Sequence, residues 1–245
     1  MRVFVTGDKH GDFRAVFEWL EKVPTSTDDV MIVAGDAGIN FHYNMKDTIL
    51  KQKLAACPIT FIFLHGNHEA RPRNIRTYKQ TAGPAYRGIE GVFFYEEEYP
   101  NLLFAESGIF WINGRRWLFL DGAYSIDKDF RIDAGLPWWP DEQMSGAVKE
   151  DLYYYVREHP EFDYVLSHAA PTHAEPLWAF QTWVDQSKVD TSTPEFLETI
   201  YELLDKDRLN RWFFGHYHED AFIDPQMLAI FNDIREVEPQ WTIST

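Results

Sequence analysis

The stretch RVFVTGDKHG, residues 2–11, carries the strongest fold signal, because it joins an apolar run to an abrupt cluster of Gly, Asp and His. Two further stretches have the same form, VMIVAGDAG at residues 30–38 and TFIFLHGNHE at residues 60–69. Short apolar runs bounded by turn residues are typical of buried strands. Helical patterns over residues 12–22 and 44–56 separate them, so the opening third predicts β-α-β-α-β with parallel strands.

The rest of the chain predicts further strands and helices. Close-set strands at residues 102–105, 108–112 and 117–120, with a hairpin signal at Asn113-Gly114, favour a second, antiparallel sheet. Buried strands are predicted at residues 164–167 and 211–214, and shorter ones at 221–224 and 228–231. Helices are predicted over residues 142–159, capped by Asp141, and over 194–206, opened by Thr193-Pro194. The tail, residues 236–245, fits no element.

Composition sets limits on the class of protein. The chain has 245 residues, 45% of them apolar, which predicts one large α/β domain over residues 1–245. No apolar run approaches about 18 residues and no signal peptide is visible, so we expect a cytoplasmic protein without a membrane partner. The formal charge of −16 disfavours an extended nucleic-acid groove. The single cysteine, Cys57, is expected to be a small core residue rather than a nucleophile.

Residues with metal-binding chemistry follow five of the predicted strands. Ligands of open parallel sheets bind beyond the carboxyl ends of the strands, where these segments converge. Carboxylate, imidazole and amide groups suit hard or borderline cations such as Mn²⁺, Fe or Zn²⁺ better than a structural zinc. The sequence therefore predicts a metal site from these side chains: Asp8, His10, Asp36, Asn67, His168, His216 and His218.

Two of these elements place ligands two residues apart. Asp8 and His10 form one such pair, and His216 and His218 form the other. In an extended segment alternate side chains point the same way, so we expect each pair to reach one ion.

The ordered motifs G-D-x-H-G, G-D-x-G, G-N-H-E, S-H-x-x-P and G-H-x-H, from Gly7 to His218, resemble those of the calcineurin-like metallophosphoesterases. The resemblance implies a four-layer α-β-β-α sandwich, two mixed sheets flanked by helices. It also implies two divalent ions per chain, with Mn²⁺ favoured. One ion would bind Asp8, His10 and His218, the other Asn67, His168 and His216, and Asp36 would bridge them.

The same resemblance implies phosphoester hydrolysis. Two cations about 3.5–4 Å apart neutralise the anionic oxygens and lower the pKa of a water between them. His68 then resembles the general acid that protonates the departing alkoxide. Its alternative role is a hydrogen bond that orients a metal ligand.

The sequence departs from the protein Ser/Thr phosphatases at their phosphate-binding positions. Ile39, Asn40 and His65 lie at positions where those enzymes carry a carboxylate and arginines. This difference weakens the hypothesis of a protein phosphatase and, equally, that of a diadenosine tetraphosphatase. Arg71 and Arg131 are the candidate bidentate phosphate ligands, each with a solvated surface charge as the alternative. His42, His65 and His173 are predicted to be hydrogen-bonding or core residues and stay outside the ligand set.

Three functions compete at this stage. The leading hypothesis is a hydrolase of phosphomonoesters or small phosphodiesters, with a phosphorylated small molecule or phosphoprotein as substrate. A protein phosphatase or a nuclease of the same superfamily is the second, and a non-catalytic, metal-stabilised binding protein is the third. Residues 121–142 are predicted to form a loop that roofs a cleft, with core packing of Trp138-Trp139 as the alternative.

Overall fold

The computed structural model describes residues 1–81 and 88–237, and over that part of the chain it contains two seven-stranded sheets. The first has the order β14 (Ile234–Glu236), β1 (Val3–Thr6), β2 (Val30–Val33), β3 (Thr60–Leu64), β7 (Leu102–Ala105), β6 (Phe94–Tyr95), β4 (Lys79–Gln80). The second has the order β12 (Ala221–Phe222), β13 (Met227–Ala229), β11 (Arg211–Phe214), β10 (Tyr164–Ser167), β9 (Arg115–Leu120), β8 (Gly108–Ile112), β5 (Ile89–Glu90). The predictions for residues 238–245 lie outside the described residues.

Each sheet has four parallel strands at its centre and antiparallel strands at its edges. β1, β2, β3 and β7 are parallel in the first sheet, and β9, β10, β11 and β13 in the second. The central strands of both sheets are therefore joined by crossover connections, and their carboxyl ends are where the polar motifs begin.

The prediction that residues 102–105 belong to the second, antiparallel sheet was wrong. β7 pairs in parallel with β3, with Leu102 opposite Phe61, and so extends the first sheet. Every residue of β7 is buried, as expected for an interior parallel strand. Its apolar sequence is similar to those of the strands that follow it in the chain, so the sequence alone does not show which sheet it joins. The predicted hairpin between β8 and β9 is confirmed, with Asn113 and Gly114 both at positive φ.

Five α-helices occur in the described residues: α1 (Arg14–Lys22), α2 (Met45–Ala55), α3 (Lys128–Asp133), α4 (Gly146–Glu158) and α5 (Ser192–Leu203). The predicted start of α4 at residue 142 was wrong, because Ser145 is the cap and accepts a hydrogen bond from the backbone of Val148. Asp141 instead accepts a hydrogen bond from Asn74. α5 begins two residues before, and ends three residues before, the predicted bounds of 194 and 206.

Three hydrophobic clusters define the layers. One lies between the sheets and includes Ile62 and Leu64 of β3. A second joins α1 and α2 to the outer face of the first sheet and includes Phe61 and Phe63, and a third joins α4 and α5 to the second sheet. Because alternate residues of a strand face opposite sides, β3 contributes to two clusters at once. The predicted α-β-β-α sandwich is confirmed.

In the described part of the chain, none of the helices has the length and apolar character needed to cross a bilayer.

Candidate metal centre

Two groups of possible metal ligands meet at the carboxyl ends of the central strands. Asp8, His10 and His218 form one, and Asp8, Asp36 and His168 form the other, with the ligand atoms of each group within 4.8 Å of one another. The carboxylates of Asp8 and Asp36 are almost fully buried. Two buried carboxylates this close call for positive charge between them, so the donor set fits a divalent cation.

His168 is held ready to bind through one ring nitrogen. Its Nδ1 lies 2.8 Å from the carbonyl oxygen of Ala34, to which it donates, so Nε2 is the nitrogen that faces the other candidate ligands. Nε2 lies 2.8 Å from Oδ1 of Asn67 and 3.5 Å from Oδ2 of Asp36. The ring is completely buried, so its orientation is fixed by the fold.

Asn67 is oriented by residues that the sequence did not identify. Its Nδ2 donates to Oγ of Ser125 at 2.8 Å, and that hydroxyl donates to Oε2 of Glu142 at 2.6 Å. The indole of Trp138 donates to the same Glu142 oxygen at 2.7 Å. Because the amide nitrogen is committed to Ser125, the amide oxygen Oδ1 faces His168 and is available to a metal.

His10 and His218 form the open side of the site. Their Nε2 atoms are 2.9 Å apart, and those atoms lie 3.9 and 3.4 Å from Oδ2 of Asp8. Both side chains are partly exposed, at 40% and 48%. Two imidazole nitrogens and a carboxylate that converge in this way suit a borderline cation.

His216 lies beside these groups without belonging to either. Its ring centroid is 5.1 Å from that of His168, and its backbone N–H donates to Oδ1 of Asp8 at 2.9 Å. Burial lowers the pKa of its imidazole to about 3, so the ring is neutral and able to act as a ligand. The expected assignment of His216 to the ion on the His168 side stays a prediction.

The argument from extended segments was wrong, because neither pair lies in extended backbone: Asp8 and His10 do meet in one ligand group, whereas His216 and His218 do not. His10, His216 and His218 have φ values of 45°, 68° and 55°, and Asp36 has 47°, all in the left-handed region. The backbone turns at these residues, so His216 lies next to His168 while His218 lies next to His10. Unusual backbone conformations of this kind concentrate at functional sites.

Two glycines let the carboxylates lie against the backbone. A Cβ at Gly215 would lie 2.2 Å from Oδ1 of Asp8, and one at Gly66 would lie 2.0 Å from Oδ1 of Asp36. Any side chain at these positions would displace one of the two candidate metal-binding carboxylates. The motifs therefore need glycine at these two positions for steric reasons.

The buried charges of His168, Asp8 and Asp36 shift one another's pKa values. Burial lowers the pKa of His168, but the carboxylates of Asp36 and Asp8 outweigh burial and raise it to about 10. Burial raises the pKa of Asp36, but His168 outweighs it and the pKa falls well below its usual value. The two carboxylates favour positive charge here, and a cation would supply it while leaving Nε2 of His168 unprotonated, as a metal ligand must be.

His68 lies next to the metal-facing carboxylates. Its backbone N–H donates to Oδ1 of Asp36 at 2.8 Å, and its ring centroid is 5.8 Å from that of His10. Burial lowers the pKa of its imidazole, with Asp36 opposing that change and Arg131 adding to it. Arg131 is therefore an electrostatic neighbour of His68, and its Nε donates to Asp127 at 2.7 Å.

Arg71 is placed differently from Arg131. Its side chain is 7% exposed, and its Nη atoms bind both carboxylate oxygens of Asp121 at 2.9 and 3.0 Å. Further hydrogen bonds go to the carbonyl oxygens of Asp141 and Gln143. These contacts occupy the guanidinium within the protein and weigh against a role in binding phosphate, although that role stays a prediction.

The remaining singled-out histidines lie outside the ligand groups. The buried His65 ring has a pKa of about 3, lowered by burial and by Arg71. His173 bonds Glu198 through Nδ1 at 2.7 Å, and the backbone of His42 donates to Asp47. The prediction of one loop over residues 121–142 was wrong in part, because α3 (Lys128–Asp133) lies within it, and Trp138 donates a hydrogen bond to Glu142 in the Asn67 network.

Comparison with known proteins identifies the family. The family model described as calcineurin-like phosphoesterase matches residues 1–220, so the chain belongs to that family. A phosphopantetheinyl hydrolase from Mycobacterium tuberculosis is similar in structure, with 14% identity, 98% of each chain covered and a TM-score of 0.48. A protein serine/threonine phosphatase from Saccharomyces cerevisiae, similar to human phosphatase PP5, has 17% identity, covers 94% of this chain and 67% of its own, and has a TM-score of 0.40. No curated protein sequence matches the chain.

Proposed function

We propose that this protein hydrolyses phosphomonoesters or small phosphodiesters with two divalent cations, Mn²⁺ in preference to Fe or Zn²⁺. The observation that carries the proposal is the buried pair Asp8 and Asp36, around which two histidine-rich ligand groups converge. We assign Asp8, His10 and His218 to one ion and Asn67, His168 and His216 to the other. Asp36 is the proposed bridge, although Asp8 is the residue common to both close groups.

The cations would supply charge neutralisation for the phosphate and an activated water. Proton transfer and phosphate binding are assigned to residues of the chain. The hydrogen bond from the His68 backbone to Asp36 holds this imidazole beside the site, where we propose that it protonates the leaving oxygen. Arg131, an electrostatic neighbour of His68, is the proposed ligand of a phosphate oxygen, shared with Asp127.

The test is a side-by-side measurement of kcat/KM for nitrophenyl phosphate and bis-nitrophenyl phosphate with Mn²⁺, using metal-stripped protein as the control. We expect hydrolysis of both, because the protein-phosphatase arginines are absent from Asn40 and His65. A monoester preference above about a thousandfold, roughly 4 kcal/mol, would mean that another cationic group binds the phosphate oxygens, and it would favour a protein phosphatase. A protein that binds two metals and hydrolyses neither ester would be a binding scaffold instead.

A further inference from the structure

A cavity of about 390 Å³ extends from the candidate metal centre. One end of it is lined by Asp36, Asn67, His68, His216 and His218. The rest of its wall is largely apolar and aromatic, formed by Tyr124, Ile126, Phe180, Trp183, Val189 and Pro194. The apolar wall and the candidate metal ligands therefore face one continuous space.

The apolar wall comes from two segments that follow central strands of the second sheet. Tyr124 and Ile126 lie in the loop after β9, and Phe180, Trp183 and Val189 lie between β10 and α5. Phe180 is stacked on Tyr217, with ring centroids 6.1 Å apart and planes 4° apart. Trp183 is 69% exposed. An indole left open beside a polar centre is apolar surface that a ligand would cover.

The charged groups of this wall are acidic. Among the described residues that line the cavity, none is Lys or Arg, whereas Asp127, Glu175 and Asp190 all contribute. Asp127 is paired with Arg131, and Glu175 accepts a hydrogen bond from the hydroxyl of Tyr217. Asp190 accepts hydrogen bonds from Gln143 and from the backbone of Ser192. Among the described residues, this wall offers a second anionic group on a substrate no Lys or Arg partner, and its carboxylates disfavour such a group.

We propose that the substrate is a phosphoester whose organic group is apolar, of aromatic-ring size and free of a second anionic charge, and that Trp183 contacts this group. The proposal rests on the proposed phosphoesterase function and names its substrate class. It disfavours polyphosphates, diphosphorylated sugars and phosphorylated carboxylic acids, because each brings a second anion to the acidic wall.

The test is calorimetric titration of the Mn²⁺-reconstituted protein with phosphonates that share one headgroup. Phenylphosphonate should bind about tenfold more tightly than methylphosphonate, a difference of about 1.4 kcal/mol. 4-Carboxyphenylphosphonate should lose that gain. Equal dissociation constants for the phenyl and methyl compounds would overturn the apolar class, and undiminished binding of the carboxyphenyl compound would overturn the requirement for a single anion.

Two tryptophans of the same segment make a matched pair of variants. Trp183→Ala should remove most of the phenyl advantage and leave methylphosphonate binding unchanged. Trp178→Ala is the control, since Trp178 is 64% exposed and does not line the cavity. Equal effects of both substitutions would contradict the proposal that Trp183 contacts the organic group.

Parallel assays with bis-nitrophenyl phosphate separate the two proposals. Turnover combined with equal phenyl and methyl binding would defeat the substrate class alone. Trp183-dependent phenylphosphonate binding without any turnover would defeat the hydrolase function and leave the ligand class standing. Failure to bind either phosphonate together with the absence of turnover would overturn both.

Discussion

The two sides of the candidate metal centre are built in different ways. The buried side, His168 and Asn67, is fixed by side-chain hydrogen bonds to Ala34 and Ser125. The open side, His10 and His218, has side chains that are 40% and 48% exposed and contact each other and Asp8, and His218 is also stacked on Phe231. The buried side is thus preorganised before a cation arrives, whereas the open side depends on the turn of its backbone.

This difference has a consequence for metal exchange. Preorganised ligands lose little freedom on binding, and burial limits the access of water and chelators. We therefore expect the ion on the buried side to be the tighter one and the ion on the open side to exchange first.

The largest expected effect is that of Asp36→Asn, which tests whether the two sides share a ligand. Loss of the proposed bridging carboxylate should empty both sides and lower kcat/KM by about 10⁴-fold or more, since metal stabilisation of the transition state amounts to several kcal/mol. Elemental analysis after Mn²⁺ reconstitution should fall from two ions per chain towards none.

Asp8→Asn and His10→Ala are the matched variants for that measurement. His10→Ala should leave the buried side occupied and cost less metal than Asp36→Asn. If Asp8→Asn empties both sides and Asp36→Asn only one, Asp8 is the bridge, as its membership of both close groups would allow. A wild-type stoichiometry that never exceeds one would defeat the two-metal proposal.

The second effect separates chemistry from metal binding on either side. His68→Ala should keep both ions yet lower turnover by roughly 10²–10⁴-fold, the range for removal of a general acid. The loss should shrink with a better leaving group, so it should be smaller for a nitrophenyl ester than for an alkyl ester. Equal proportional losses for the two esters would mean that His68 does not protonate the leaving oxygen.

The third effect acts on the buried side alone. Ser125→Ala removes the hydrogen bond that orients Asn67 and should weaken metal binding there by roughly 10–100-fold, the usual cost of losing an orienting partner. Chelator competition should resolve this loss from an unchanged open side. Ser26→Ala, in the turn between α1 and β2, is the control. Equal weakening of both sides would contradict a local role for Ser125.

The sequence predicted which of the candidate side chains converge better than the contacts that orient them. Asp8, Asp36 and His168 each lie within three residues of the carboxyl end of a buried strand, so the local pattern predicts their place at the edge of a sheet. Ser125 and Asn67 are 58 residues apart and meet only through packing of the two sheets. No sequence spacing predicts that these two residues meet. Because Glu142 was predicted to lie in a helix, nothing in the sequence indicated that it accepts a hydrogen bond from Ser125.

Arg71 and β7 show the same limit. Arg71 lies close to the G-N-H-E motif in sequence, but its guanidinium pairs with Asp121, 50 residues away. The apolar run of β7 is compatible with either sheet, and its partner is decided by which neighbour buries both of its faces. Local patterns therefore predicted element types, while partners needed the tertiary structure.

The smallest expected effect concerns the charge that faces the phosphate. Arg131→Ala should raise KM by about three- to tenfold with little change in kcat, because the guanidinium is partly exposed and already shared with Asp127. A dianionic monoester has more charge to lose than a diester, so nitrophenyl phosphate should suffer more than bis-nitrophenyl phosphate. Lys128→Ala is the matched control, since Lys128 lies in the same segment but its Nζ is 4.8 Å from the Trp138 ring centroid, whereas Arg131 is the cation that adds to burial in lowering the pKa of His68. If Arg131→Ala and Lys128→Ala raise KM alike for both esters, Arg131 acts only through the general field of the loop, and neither side of the metal centre has an arginine ligand for phosphate.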